Sequence, residues 1–255
     1  MKVAITGANG EIGGIIAPAL AREHDVRLAV WELPGTRQPA EFSEPGLDLH
    51  RLDIRDASKV SAFVRGADAV VHLAGEREMT ASWARLRGPN IDGTFNVFDA
   101  CREHSVGKIV FASSSHVTGG YNLADQEGLS GSETVRPDSL YGVTKVFGEA
   151  LGRYLSDFHD ISVICLRIGW VLPVPHGDWA MRMWLSPRDL CGLVSSALSA
   201  QVRYGVYYGI SNNAARLWDL GPAIKDLGYL PVDDSARSAR EPGLDPPAPA
   251  DLPGP

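Results

Sequence analysis

The sequence predicts an α/β protein built on a Rossmann-like, doubly wound parallel sheet with a small C-terminal substrate cap. Short, nearly continuous apolar runs alternate with amphipathic helical stretches, which is typical of βαβ units whose strands are buried on both faces. A glycine-rich turn, Gly7-x-x-Gly10-x-x-Gly13, directly follows the first apolar run. Because such a turn joins the first strand to the first helix of nucleotide-binding sheets, both observations predict the same architecture.

The individual elements follow from the period of the apolar residues. Strands are predicted at 3–5, 26–30, 47–52, 69–73, 108–112, 162–166 and 206–210. Helices are predicted at 12–23, 57–65, 89–104, 140–158, 187–199 and 216–227. Since right-handed βαβ crossovers connect parallel strands, the first six strands are expected to share one parallel sheet.

The pattern changes after Ile168, and this change divides the chain into three parts. Residues 1–168 are the predicted NAD-binding domain. Residues 169–232 contain four of the six tryptophans and are predicted to form a small substrate-binding cap packed on that domain. Residues 233–255 are predicted to be a disordered, proline-rich tail, because such a segment buries too little apolar surface to offset the entropy of ordering.

Composition limits the class of protein. The 255 residues include 31 acidic and 24 basic ones, and the net charge of −7 argues against binding nucleic acid through a basic surface. No apolar run approaches the roughly 18 residues of a membrane-spanning helix. The three cysteines, Cys101, Cys165 and Cys191, show no Cys-x-x-Cys spacing. They predict reduced thiols in a cytoplasmic protein, with neither a disulfide framework nor a zinc site.

The glycine turn predicts a dinucleotide site. Its glycines allow a tight turn and a close approach to a pyrophosphate, while the following helix N-terminus supplies free N–H groups. Glu32 lies nineteen residues after Gly13, where a carboxylate can accept both ribose hydroxyls, so we expect NAD rather than NADP, although the nearby Arg37 can soften this preference. The expected NAD contacts are Gly7, Asn9, Gly10, Glu11, Ile12, Gly13, Glu32, Leu33, Asp53, Ile54, Leu73, Ala74, Gly75, Asn90, Tyr141, Lys145 and Ile168.

A second group of residues predicts oxidoreductase chemistry. Tyr141 and Lys145 are four residues apart on one helix face, and a neighbouring ammonium group lowers the pKa of a phenol. Such a phenol can take the proton of a substrate hydroxyl while hydride leaves the same carbon. The serine run Ser113-Ser114-Ser115 closes the fifth predicted strand, where a serine can hold the substrate oxygen in line with the phenol.

These motifs resemble, in order, those of the extended short-chain dehydrogenase/reductase superfamily over residues 1 to about 230. Within it the chain is most similar to uronate dehydrogenases, through the segments 111–116, 140–149 and 167–169. The resemblance implies that Ser114, Tyr141 and Lys145 form the catalytic group and that Ser115 and His116 face the sugar. It also implies oxidation of an anomeric hydroxyl to a lactone, and a homodimer or larger homo-oligomer paired through the helices that hold Asn90 and Tyr141.

The substrate side departs from the family pattern at three positions. Arg77 and Trp170 replace two substrate-side serines, and Trp179 replaces the arginine that clamps the uronate carboxylate. Arg182 or Arg77 can serve as a substitute clamp, since arginine is the natural partner of a carboxylate. The expected substrate contacts are Arg77, Ser114, Ser115, His116, Tyr141, Trp170, Trp179 and Arg182.

Three other functions stay open at this point. A neutral aldose or a sugar phosphate can replace the uronate, because tryptophan faces stack on the apolar side of a pyranose. A nucleotide-sugar epimerase or dehydratase uses the same tyrosine and lysine, but little chain follows Ile168 to grip a nucleoside diphosphate. A non-catalytic NAD-binding regulator would not need the serine, the tyrosine and the lysine together.

Overall fold

The computed structural model describes residues 1–31, 48–121 and 123–239. Glu32, Leu33 and Arg37 lie outside the described residues, as does the predicted tail from residue 240 onward.

The described part of the chain contains a seven-stranded parallel sheet with the strand order β3-β2-β1-β4-β5-β6-β9. The order reverses between β1 and β4, and ligands of such sheets bind at the carboxyl ends of the strands beside this switch point. The predicted doubly wound fold is therefore confirmed. The strands are β1 (Lys2–Thr6), β2 (Asp25–Val30), β3 (Asp48–Arg51), β4 (Ala69–His72), β5 (Lys108–Ser114), β6 (Ser162–Ile168), β7 (Trp170–Val171), β8 (Trp184–Leu185) and β9 (Tyr204–Gly209), of which β7 and β8 form a separate parallel pair.

Helices cover both faces of the sheet. They are α1 (Glu11–Leu20), α2 (Ala57–Val64), α3 (Trp83–Leu86), α4 (Thr94–Glu103), α5 (Leu123–Gln126), α6 (Leu140–His159), α7 (Gly177–Met183), α8 (Pro187–Ser199) and α9 (Ser235–Ser238), with π-helical turns at Arg87–Gly93 and Ala223–Leu227 and a 3-10 turn at Ser115–Val117. None of the helices described here is long and apolar enough to cross a membrane.

The alternation of side chains along each strand explains why both faces are buried. In β1, Val3 and Ile5 pack in the core that includes α1 and α8, whereas Ala4 packs in the core that includes α2, α4 and α6. Successive residues of a strand point to opposite faces, so a strand between two helical layers reads as a continuous apolar run.

The C-terminal part of the chain contributes to the sheet itself. β9 pairs in parallel with β6, so the strand predicted within the cap at 206–210 is the seventh strand of the main sheet. Its neighbour α8 packs in the same core as α1. The boundary predicted at Ile168 therefore cuts through the sheet, because a short apolar run shows its length but not its pairing partner.

The helix predicted at 216–227 is wrong in extent, since the structure is helical only at 221–227, of which Ala223–Leu227 is a π-helical turn. Asp219 accepts the Gly221 N–H in a turn at 2.8 Å, and Pro222 offers no N–H group to a preceding turn. The apolar residues of this stretch pack instead in a third core cluster with Tyr208; they are Leu217, Trp218 and Leu220.

Residues 233–239 are ordered, contrary to the predicted start of the tail. The buried Asp189 carboxylate accepts the N–H groups of Val232 and Asp233 at 2.9 and 3.0 Å. Asp233 in turn accepts a hydrogen bond from the Ser186 hydroxyl at 2.5 Å, and α9 follows. Polar contacts hold this segment, and they leave no trace in its hydropathy.

Candidate active site

The glycine turn is shaped as the sequence predicts for a pyrophosphate site. Gly7 has a φ of +71°, and a Cβ there would lie 2.7 Å from the Ala74 nitrogen. A Cβ at Gly13 would lie 2.3 Å from the Gly7 oxygen. Gly10 is the N-cap of α1 and has no side chain to cap it, so the first N–H groups of the helix are free to bind an anion. This cradle fits a dinucleotide.

Other predicted cofactor residues surround this turn. The Asn9 side chain accepts the Trp31 N–H at 3.4 Å, and Ile12 packs against the core. Glu11, the first residue of α1, forms an ion pair with Arg77. The Asp53 carboxylate is held by the Arg55 guanidinium at 2.7 Å, and these hydrogen bonds lower the pKa of Asp53.

Asn90 fastens the loop after β4, which carries Leu73, Ala74 and Gly75. Its side-chain oxygen accepts the Glu76 N–H at 2.7 Å, and its amide donates to the Glu76 oxygen at 2.9 Å and to Thr144 Oγ1 at 3.0 Å. In the structure this buried amide, one of the expected NAD contacts, joins the loop to α6. A Cβ at Gly75 would lie 3.0 Å from Asn90 Oδ1, which explains the small residue.

Beneath this loop lies a buried histidine whose role the sequence analysis missed. His72 Nδ1 is 2.7 Å from Thr6 Oγ1, and its Nε2 is 3.2 Å from Thr94 Oγ1. Burial, reinforced by the positive charge of Lys145, lowers the pKa of His72 to about 3. The imidazole is therefore a neutral bridge between β1, β4 and α4. The buried apolar run around it gave no sign of these partners.

The three predicted catalytic residues meet at the carboxyl end of β5. Ser114 is the last residue of β5, and α6 places Tyr141 and Lys145 on one helix face. Ser139 caps α6 by accepting the Gly142 N–H at 3.0 Å. The buried Lys145 Nζ donates to the Ala112 oxygen at 2.8 Å and lies 5.5 Å from the centre of the Tyr141 ring.

The electrostatics of the phenol differ from the prediction. Burial raises the pKa of Tyr141, and a hydrogen bond with Ser114 and the positive charge of Arg77 oppose this effect. Burial also lowers the pKa of Lys145 to about 8. Ser114 and the charge of Arg77 therefore favour the phenolate, and the sequence did not indicate this electrostatic influence of Arg77.

The serine run divides into different environments. Ser113 donates to Glu149 Oε1 at 2.6 Å, and Glu149 forms a buried ion pair with Arg167 at 2.9 Å. Ser115 is half-buried in the 3-10 turn that follows β5. His116 stands beside the phenol with ring centroids 5.8 Å apart, and its Nδ1 is 2.8 Å from Asp138 Oδ2. Asp138 is a site residue that the sequence analysis missed, although it lies just before the α6 cap.

On the substrate side, the structure separates the two tryptophans. Trp170 follows the buried Ile168, is half-buried and contacts the His176 ring edge-on with centroids 6.0 Å apart. Trp179 packs against the core cluster that contains Tyr208. Trp179 therefore packs against the protein core, and this role could not be inferred from its position in place of the expected arginine.

The two candidate arginines also differ. Arg77 is exposed and paired with Glu11. Arg182, on α7, is half-buried and has no hydrogen bond or ion pair within the described part of the chain. The other arginines there that are at least half-buried, Arg27 and Arg167, both have carboxylate partners. Among the described residues, Arg182 is thus a half-buried cation without a counter-charge.

Comparisons with known proteins support the fold and the family. Residues 3–172 match the model of the NAD dependent epimerase/dehydratase family. An NAD-dependent glucose-6-phosphate dehydrogenase from Haloferax volcanii is 37% identical over 247 residues, which cover 92% of this chain and 94% of the relative. An L-arabinose 1-dehydrogenase (NAD(P)(+)) from the same organism is 36% identical over 258 residues, covering 92% of this chain and 98% of the relative.

A solved structure provides a third comparison. The crystal structure of a variant uronate dehydrogenase from Agrobacterium tumefaciens, complexed with NAD, superimposes with a TM-score of 0.84 and 32% identity. The match covers 96% of this chain and 92% of that chain. The predicted resemblance to uronate dehydrogenases is therefore confirmed.

Proposed function

Because the chain is an NAD-dependent sugar dehydrogenase that belongs to the NAD-dependent epimerase/dehydratase family, we propose that it oxidises the anomeric hydroxyl of an aldohexuronate to the lactone. Bound NAD supplies the hydride acceptor. Tyr141 takes the proton of the anomeric hydroxyl as a general base, and Ser114 hydrogen-bonds the same oxygen. The C1–H bond breaks as the carbonyl of the lactone forms, and the phenol keeps the proton.

Lys145 supports this proton transfer from within the protein. Its ammonium group is buried beside the phenol ring and has no carboxylate partner among the described residues. A cation at that range stabilises the phenolate over the phenol, and the effect is large where water is excluded. Removing Lys145 is therefore expected to weaken the base as well as the site that holds the nicotinamide ribose.

The main evidence for an acidic substrate is Arg182, which has no hydrogen bond or ion pair with any other described residue. α7 leads into β8, and β8 pairs with β7, which follows β6. Ile168 at the end of β6 is the register partner of Ser114, so α7 belongs to the edge of the sheet that holds the catalytic group. A half-buried guanidinium without a counter-ion at this edge suits the carboxylate of a uronate.

The sugar is tested by initial rates of NADH formation with glucuronate and galacturonate against glucose and galactose. A charge-assisted hydrogen bond contributes roughly 1.5–3 kcal/mol, so Arg182→Ala should raise KM for the uronate about ten- to a hundred-fold. Arg77→Ala tests the second arginine in the same assay. Arg65→Ala, an exposed arginine at the end of α2, is the control and should leave KM unchanged. Better turnover of the neutral sugars would exclude the uronate.

A sugar phosphate is the second candidate substrate. The Haloferax volcanii relative named as a glucose-6-phosphate dehydrogenase covers nearly this whole chain, and a phosphate group would suit the same unpaired guanidinium. Glucose 6-phosphate therefore belongs in the same screen. NADH formation from it that exceeds the rate with uronates would assign Arg182 to a phosphate. Product interconversion without net NADH would instead indicate an epimerase.

We also propose that the protein pairs with a second copy through α4 and α6. Large exposed apolar side chains line this side, among them Phe95, Tyr154 and Phe158. A groove between the two helices is lined by Phe95, Asp99, Arg102, Leu151, Tyr154, Leu155 and His159.

The free cysteines support a cytoplasmic location, where thiols stay reduced.

A further inference from the structure

Asp138 and His116 form a hydrogen-bonded pair beside the proposed base. His116 Nδ1 and Asp138 Oδ2 are 2.8 Å apart, and the imidazole meets the Tyr141 ring edge-on. His116 lies two residues after Ser114, and Asp138 lies three residues before Tyr141. The pair therefore joins the two chain segments that carry the catalytic hydroxyl groups.

The backbone around the pair holds these segments side by side. The Arg136 N–H donates to the Val117 oxygen at 2.9 Å, and the Gly120 N–H donates to the Arg136 oxygen at 2.8 Å. A Cβ at Gly119 would lie 1.9 Å from Asp138 Oδ2, so only glycine at 119 leaves room for the carboxylate in this position.

Both oxygens of the carboxylate are engaged. Oδ2 faces the imidazole, and Oδ1 accepts a hydrogen bond from the Ser139 hydroxyl at 2.9 Å. Burial raises the pKa of Asp138, but the hydrogen bonds with His116 and Ser139 outweigh it and leave the pKa below its usual value. Asp138 is therefore ionised at neutral pH and acts only as an acceptor.

A hydrogen-bond acceptor beside Nδ1 determines whether the other ring nitrogen, Nε2, carries a proton. A neutral imidazole carries one proton, so when Nδ1–H donates to a carboxylate, Nε2 is unprotonated and accepts hydrogen bonds. Without the carboxylate, the ring is free to rotate and to place its proton on Nε2. The hydrogen-bonding character of His116 toward the substrate therefore depends on Asp138.

We propose that Asp138 is a positioning residue that acts through His116, holding it in the Nδ1–H tautomer so that Nε2 accepts a hydrogen bond from a hydroxyl group of the sugar. This inference rests on the proposed function for the identity of the ligand. The tautomer itself is a property of this chain, and it is measurable without any substrate.

The first test measures the tautomer and the kinetics in two variants. Long-range ¹H–¹⁵N spectra of histidine-labelled protein should show Nδ1–H at His116 in the wild type and lose it in Asp138→Ala. Asp138→Ala should raise KM for the sugar about tenfold while kcat changes less than about threefold, because Tyr141, Ser114 and Lys145 are untouched. Asp138→Asn keeps an acceptor oxygen and should restore both the tautomer and most of the affinity for the sugar.

A double-mutant cycle tests whether Asp138 acts through His116. In a His116→Ala background, Asp138→Ala should raise KM no further. The control is Asp48→Ala, which breaks the similar pair of Asp48 Oδ1 and His50 Nε2, 2.7 Å apart, at the start of β3. It should change neither KM nor the His116 spectrum.

The outcomes separate this proposal from the proposed function. An Nε2–H tautomer at His116 in the wild type would overturn the inference whether or not any sugar is oxidised, and it needs no variant to fold. Sugar oxidation with an unchanged KM in Asp138→Ala would overturn it and leave the dehydrogenase function intact. Equal losses in Asp138→Ala and Asp138→Asn would also overturn it, because they would indicate a need for charge or packing rather than for an acceptor.

Discussion

Opposite influences act on the pKa of Tyr141, the proposed general base. Burial disfavours its phenolate, whereas Ser114 and the charge of Arg77 favour it. Lys145 lies beside the ring, and burial lowers its pKa to about 8, so it is mostly charged at neutral pH. Arg77, where the resemblance implies a serine, therefore contributes a positive charge that favours the phenolate of Tyr141.

Removing the phenol oxygen should abolish the proton transfer without harming the cofactor site. Tyr141→Phe should lower kcat by about 10²- to 10⁴-fold and leave the affinity for NAD within about threefold, since a general base typically contributes that factor. Wild-type activity should rise with pH, because the base must lose its proton. Stopped-flow NADH formation and NAD titration by fluorescence measure the two quantities.

The matched control is Tyr204→Phe. The Tyr204 hydroxyl donates to the Glu149 oxygen at 3.1 Å, and the residue begins β9, at the amino edge of the sheet. This variant should keep wild-type kcat. Equal kcat values for Tyr141→Phe and the wild type would defeat the base assignment, whereas NAD binding without turnover in the wild type would favour a non-catalytic NAD-binding protein.

Among the secondary-structure elements, β1, β4 and α4 are joined by the neutral His72 bridge. Thr6 Oγ1 also accepts the N–H groups of Leu73 and Ala74, both at 3.3 Å, so the same contacts fix the loop expected to lie against the cofactor. Phe111 stacks on the imidazole and Phe98 meets it edge-on. Protonating His72 would place a charge in this apolar core.

The free energy of unfolding should therefore depend on pH through His72. Its folded pKa of about 3 lies below the ordinary value of 6.5, so the unfolded chain binds a proton between those values and the folded one does not. This stability is complete above pH 6.5 and is lost as pH falls toward 3, by up to about 1.4 kcal/mol per pH unit. Urea unfolding measured between pH 7 and pH 5 tests this expectation.

Comparing variants isolates the contribution of His72 from that of the carboxyl groups. His72→Asn should be less stable at pH 7 but should lose less stability than the wild type on acidification. An unchanged slope in His72→Asn would show that this imidazole is protonated in the folded protein.

The sequence was informative where a single period or motif determines a structure. Strands buried on both faces, the glycine turn and the Tyr141–Lys145 spacing could all be interpreted from local pattern. It was uninformative where a contact joins distant residues, as with the pairing of β9 on β6 and the Asp138–His116 pair. The ordering of residues 233–239 depends on Asp189, more than forty residues away, so no local pattern encodes it.

At the scale of the whole molecule, the sheet gathers its functional groups at one edge and leaves an apolar surface on α4 and α6. The predicted catalytic side chains lie at the carboxyl end of β5 and near the start of α6. Along α6, Tyr154 and Phe158 are in ring contact on the outer surface, and Phe158 is 73% exposed. Exposed apolar clusters of this kind mark association surfaces. We therefore expect α6, the helix that carries Tyr141, to pair with a second copy through its outer surface.

A charge placed on this surface should separate the copies. Phe158→Glu should reduce the mass measured by light scattering from a dimer or larger assembly to the 27.4 kDa of one chain, because pairing would bury the carboxylate without a partner. Leu230→Glu is the matched control: Leu230 is 74% exposed and lies outside α4 and α6, so its variant should keep the wild-type mass. A wild-type mass of one chain, or an unchanged mass in Phe158→Glu, would contradict pairing through this face. If the mass falls while kcat is retained, α6 holds the catalytic group without help from a second copy.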